Sequence, residues 1–161
     1  MARIDRIKFE YLVTFVLLAY LPLHLLEEGF LGFPAWAESY WRIPNYTVGK
    51  WLFHNVFFVA VLLVGYVIYR VNKEKYLSAG FGIILWGFMN TLNHVGCSIA
   101  FGEIEPGLFT SLLFLLIFVL AVLKVRATGQ LSPKLIGQAV LWNLLYWGVP
   151  IVSFILVPGL G

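Results

Sequence analysis

The sequence predicts an all-α integral membrane protein, five transmembrane helices in one bundle that forms a single domain over residues 1–161. Its composition is the first ground. Hydrophobic residues make up 61% of the chain and charged residues only 12%, and the mean hydropathy of +0.89 lies far outside the range of a soluble globular domain. The second is the spacing of apolar runs at 9–26, 47–69, 76–101, 107–123 and 135–157, each near the roughly 20 residues that cross about 30 Å of hydrocarbon as a helix. The third is the lack of any ten-residue alternating pattern that would suggest a barrel. Backbone polar groups in lipid must be satisfied within the segment, so spans of this length are helical.

The first run follows Arg3, Arg6 and Lys8, an arrangement shared with secretory signal peptides. No small-residue cleavage pattern succeeds it, and a polar motif follows directly, so the run is expected to stay as a span. Pro22 within it removes a backbone hydrogen bond and predicts a kink one turn before His24. The segment 29–46 carries Trp36, Tyr40, Trp41 and Tyr46 with Pro34 and Pro44, a composition suited to the headgroup region, and is expected to lie over the outer surface as an aromatic belt or lid. The second span holds His54 and Asn55. The third holds Asn90, Asn93 and His94, with Cys97 and Ser98 a turn further on. Glu103 and Glu105 fall beyond its end and are expected to be solvated. The fifth holds Asn143, with Gly148 and Pro150 able to ease packing or bend the helix.

Basic residues in short loops stay on the cytoplasmic side. Nine of the eleven Lys and Arg residues lie before span one, between spans two and three, or between spans four and five; only Arg42 and Lys50 lie on the other face. The N-terminus is therefore expected inside and the C-terminus outside, in the cytoplasmic membrane of a bacterium or archaeon. The net charge of +3 follows from this topology and gives no reason to expect nucleic acid. Cys97 is the only cysteine, which excludes an intramolecular disulfide and a cysteine-rich metal site, so any metal would be held by nitrogen and oxygen.

Ionisable groups at membrane depth cost about 2.5–3.5 kcal/mol on insertion scales and rarely lie there without a partner or a task. His24, His54 and His94 are all the histidines of the chain, and all lie in expected spans. At about 1.5 Å per residue from the span ends, His24 stands roughly 22 Å and His94 roughly 27 Å above the inner boundary, with His54 roughly 10 Å below the outer one. All three fall in the outer half. Glu27 and Glu28 follow His24 by three and four residues, flanking its helical face, so that all three side chains can point to one centre. Interfacial capping is the plainer alternative for His24, Glu27 and Glu28. For His54 it is a hydrogen bond with Asn55 or Lys50, and for Asn90 and Asn93 it is interhelical bonding.

Two chemistries suit the cluster. Neutral imidazoles with a carboxylate make a site for a divalent metal, zinc or iron, with His24, Glu28, His94 and His54 as candidate ligands and Glu27 and Glu28 as candidate catalytic groups. Alternatively, a glutamate in an apolar pocket is a proton donor for acid–base chemistry without metal. Asn55, Asn90, Asn93 and Asn143 are the candidate substrate-lining residues.

The sequence His24-Leu25-Leu26-Glu27-Glu28 near the end of a first span resembles the motif of the HXXEE family of small multi-pass membrane proteins. That family also carries a second histidine, which His94 matches, and a Tyr-X-Pro-Gly motif, where Ile104-Glu105-Pro106-Gly107 stands with Ile104 in place of the tyrosine. The resemblance implies a fold and a site but supplies no reaction. Over seven residues, His24-Leu25 followed by Glu28-Gly29-Phe30 is also similar to a stretch of emopamil-binding-type sterol isomerases, which move a proton and a double bond with membrane-buried acids.

The expected function is thus a divalent-metal-dependent enzyme acting on a lipid-soluble or amphipathic substrate, with membrane lipid as its surroundings and homo-oligomerisation left open. The alternatives are a metal-free acid–base lipid or sterol-type isomerase or lipid-binding protein, and an ion or proton transporter. Transport needs a polar path to the cytoplasm, and apart from Asn143, Gln138 and Thr14 the inner halves of the spans are apolar.

Overall fold

The computed structural model describes residues 7–156, with side chains to residue 152. Arg3 and Arg6, on which the orientation partly rests, and residue 157, the expected end of the fifth span, lie outside the described residues. The chain is helical almost throughout. Helix α1 (Phe9–Leu18) runs through a wider turn, Ala19–His24, into α2 (Leu25–Phe30), and α3 is Phe33–Tyr40. Four longer helices follow: α4 (Val48–Val71), α5 (Leu77–Phe101), α6 (Leu108–Ala127) and α7 (Pro133–Leu156).

Four helical stretches, Phe9–Phe30, Val48–Val71, Leu108–Ala127 and Pro133–Val152, are long and apolar enough to cross a membrane. The remaining long helix, α5, has 25 residues, but Asn90, Asn93 and His94 lower its apolarity. It occupies the middle of the bundle, packed against α1, α4, α6 and α7, and this enclosure is what allows it to carry polar side chains.

Small residues set how closely the helices approach. A methyl group at Gly65 on α4 would fall 2.1 Å from the Tyr146 hydroxyl, and one at Gly82 on α5 would fall 2.6 Å from Trp142 Cβ. Tyr146 thereby crosses into the core and donates to Ala79 O at 3.2 Å. The main core joins α1, α4, α5, α6 and α7 through Val13, Val16, Leu62, Ile83, Ile84, Phe114 and their neighbours. A second, smaller core of Phe33, Trp36, Ala37, Tyr46 and Trp51 ties α3 and the following loop to the top of α4. At the other end of the bundle, Lys73 beyond α4 pairs with Glu10 on α1.

Candidate metal centre

The site begins with a proline. Pro22 has no N–H to give and its ring crowds the carbonyl one turn back; the helix responds by widening into a π turn over Ala19–His24, where Leu25 N–H donates to Tyr20 O. The kink expected from the sequence is thus a π segment. It ends at His24, which is fully buried.

His24 Nε2 lies 3.2 Å from His94 Nε2 and 3.4 Å from Glu28 Oε1, and His94 Nε2 lies 3.8 Å from the same oxygen. Zinc–ligand distances of about 2.0–2.1 Å in tetrahedral geometry separate neighbouring donors by about 3.3–3.4 Å. The three donors therefore sit close to the spacing a bound ion requires, with modest adjustment at the longest edge.

The outer atoms of each ligand set its protonation. His24 Nδ1 lies 2.8 Å from Thr110 Oγ1. That hydroxyl donates to Gly107 O at 3.3 Å, so it accepts from His24 Nδ1–H. His94 Nδ1 faces Glu105 Oε2 at 3.4 Å. Glu105 is 0% exposed, and at this approach neither its carboxylate oxygens nor His94 Nδ1 has a hydrogen-bond partner among the described residues, so a small rotation of the ring would let Nδ1–H serve the carboxylate. In the tautomers with the proton on Nδ1, each Nε2 keeps its lone pair free for a ligand role. Glu28 Oε2 accepts from Trp51 Nε1 at 2.9 Å, which leaves Oε1 facing the histidines. Three lone-pair groups, His24, Glu28 and His94, thus converge on one buried point, all within 4.8 Å of one another. Such an arrangement could hold a metal ion, and outer partners of this kind are what fix metal-binding imidazoles.

Gly107 closes the centre from the side. Its φ of +98° lies in the left-handed region, and a Cβ there would fall 2.7 Å from both His24 Cε1 and His94 Cε1. The backbone of the loop before α6 therefore rests directly on the two rings.

Sequence reasoning misplaced one carboxylate. Glu105 was expected in solvent beside Glu103; Glu103 is exposed, but Glu105 is fully buried behind His94. The physical reason is the turn of Gly102–Gly107, which folds the chain back under the end of α5, with Glu105 N donating to Ser98 Oγ at 3.0 Å. Thr110 and Trp51 were also unread, since nothing in their spacing marks them; Gly107 was marked only through the family motif.

The two adjacent glutamates part company. Glu28 enters the centre, whereas the Glu27 carboxylate accepts from Phe109 N at 3.0 Å and Thr110 N at 2.7 Å. It caps the N-terminus of α6, where backbone N–H groups lack helical partners and the helix dipole favours negative charge. By this placement Glu27→Ala should cost about 1 kcal/mol, as other capping losses do, lowering the thermal unfolding midpoint in detergent by about 2–4 °C. Bound metal should be retained, and its loss would place Glu27 among the ligands instead.

A cavity of about 310 Å³ adjoins the centre and is lined in part by His24, Glu28 and His94. Asn55, Asn90 and Asn93 also line it, whereas Asn143, although buried, does not. His54 is on the wall but is not one of the three close-set donors; its Nδ1 lies 3.3 Å from the Tyr46 hydroxyl, and the rings are stacked at 5.8 Å. Burial first, and then the nearby Glu28 carboxylate, push the Tyr46 phenol well above its ordinary value, so it remains a protonated donor. Phe33, Trp41, Ile43 and Tyr46 all line the cavity, so the aromatic segment 29–46 forms part of its wall.

Four apolar helices around a buried donor set of two histidines and a carboxylate define a multi-pass helical membrane protein with a centre that could hold a metal ion. Residues 15–122 match the family described as a protein of unknown function with HXXEE motif, and the chain belongs to that family. No curated protein and no solved structure matches the chain.

Proposed function

We propose that this protein is a membrane-embedded enzyme that depends on a divalent metal, zinc or iron, held by His24, Glu28 and His94, and that acts on a lipid-soluble or amphipathic substrate. The observation that carries this reading is the convergence of two imidazole Nε2 atoms and one carboxylate oxygen at 3.2–3.8 Å in a buried place. Three protein ligands beside a cavity are the pattern of catalytic rather than structural sites. Bound there, the ion would act as a Lewis acid on a substrate oxygen or on water.

The chain's own residues then have distinct tasks. Trp51 orients Glu28, Thr110 orients His24 and Glu105 orients His94. His54, held by Tyr46, is the remaining imidazole on the cavity wall and is placed to move a proton to or from a bound substrate. The aromatic segment over the cavity keeps water from the reacting groups. In this reading α5 is a fifth span, enclosed by the other four, with the N-terminus inside, the site in the outer half of the bilayer, and the cytoplasmic membrane of a bacterium or archaeon as its location. The bias of basic residues supports that orientation.

Elemental analysis of detergent-purified protein, prepared without a metal-affinity tag, tests the proposal. The expected result is close to one metal ion per chain, lost in both His24→Ala and Glu28→Gln. Well-folded protein that takes up no zinc or iron on incubation would overturn it in favour of acid–base isomerisation or lipid binding.

A further inference from the structure

The cavity wall carries a second, separate set of unsatisfied groups. Trp86, Trp147 and Asn90 all line it, and Trp86 Nε1, Trp147 Nε1 and Asn90 Oδ1 are buried without a hydrogen-bond partner among the described residues. The two indoles lie together, with ring centroids 5.9 Å apart. Buried polar atoms without partners are unfavourable, and three in side chains that line one cavity are chemically matched to something: two donors and one amide that can accept or, turned over, donate.

Charge narrows what that something is. Among the described residues, no lysine or arginine lines the cavity. A divalent ion at the centre would not supply the missing positive charge, because two carboxylates, Glu28 beside it and Glu105 behind His94, balance it. An anionic head group would therefore be buried without a counter-charge, which is strongly unfavourable. The rest of the wall is aromatic and aliphatic, including Phe58 and Ile151. At roughly 30 Å³ for each water-sized group, the volume of about 310 Å³ holds a polar head and a short length of chain or ring.

We infer that the cavity binds an uncharged amphiphile, an alcohol, amide or ester, whose polar group accepts from the Trp86 and Trp147 indoles and pairs with the Asn90 amide. This rests on the proposed function in taking the ligand for a substrate. The binding itself is a separate matter, so the two can fail independently.

The test is photolabelling of the purified protein in detergent with a diazirine-bearing long-chain alcohol, competed by dodecanol, dodecanamide, dodecanoate and dodecyl phosphate. The inference expects the neutral competitors to act at concentrations at least roughly tenfold below the two anions, in line with the cost of an unpaired buried charge. It also expects Trp147→Phe and Asn90→Leu each to weaken the neutral ligands by about three- to tenfold, the scale of one lost hydrogen bond. Metal content and thermal unfolding are measured on the same samples, so that a variant that fails to fold is recognised and Trp147→Phe, the milder change, decides. Equal competition by dodecanoate or dodecyl phosphate, or labelling unchanged in a folded Trp147→Phe protein, would overturn the inference even where metal is bound. Selective binding of the alcohol in protein that takes up no metal would overturn the enzyme reading and leave this one standing.

Discussion

Gly107→Ala is expected to abolish tight metal binding and to destabilise the protein by about 2–5 kcal/mol, the combined scale of left-handed strain in a residue with a Cβ and of overpacking. Among the described residues, no other glycine places so small a change so close to the centre. The new methyl group would meet His24 Cε1 and His94 Cε1 at 2.7 Å and Glu28 Cγ at 3.1 Å. The rings could retreat only by breaking the Thr110 and Glu105 contacts that hold them, and the loop could retreat only by disturbing the start of α6, which Glu27 caps. Competition for metal against a chromogenic chelator, with thermal unfolding alongside, gives both readouts. An alanine variant that binds metal as the parent does would mean that the loop does not rest on the rings.

The second large effect is expected at Glu105. Outer partners of metal-binding histidines are worth about 10–100-fold in affinity, so Glu105→Gln and Glu105→Leu should each weaken metal binding by about that factor. Stability should respond differently. Glu105 is fully buried, with the His94 ring 3.4 Å away and the Cys97 thiol also beside it, so the leucine, which replaces a buried and poorly hydrogen-bonded polar group, should leave the metal-free protein as stable or raise its unfolding temperature. A fall in metal affinity without a fall in metal-free stability marks Glu105 as a positioning residue. Loss of both in the leucine variant would mark it as part of the framework alone.

Much of this centre is legible in the sequence because membrane depth constrains it. The sequence leads one to expect three histidines from three distant runs at similar depths, and the i, i+4 spacing of His24 and Glu28 puts both on one helix face, which is the geometry found at 3.4 Å. Helix ends were also readable: the runs expected at 47–69 and 76–101 became Val48–Val71 and Leu77–Phe101. What could not be read lies where spacing carries no information. Glu27 and Glu28 flank His24 alike on an ideal helix, and only the arrival of α6 takes Glu27 away as a cap. The π turn at Pro22 shifts the register in a way that composition does not announce. Glu105, in a turn of no periodicity beside the solvated Glu103, is buried by the backbone path between Gly102 and Gly107, a tertiary event. His54, expected at a depth similar to the other two histidines, faces Tyr46 rather than the close-set donors, since an expected depth fixes height along the bilayer and leaves the direction around each helix open.

X-ray absorption spectroscopy of the metal-loaded protein tests the central claim most directly, because it reports the ligands themselves. The account predicts one ion with nitrogen and oxygen neighbours at about 2.0–2.2 Å and the outer-shell scattering of two imidazoles, reduced to one in His94→Ala. A sulfur neighbour at about 2.3 Å, which only Cys97 or a methionine could supply, or a spectrum without imidazole scattering, would contradict it.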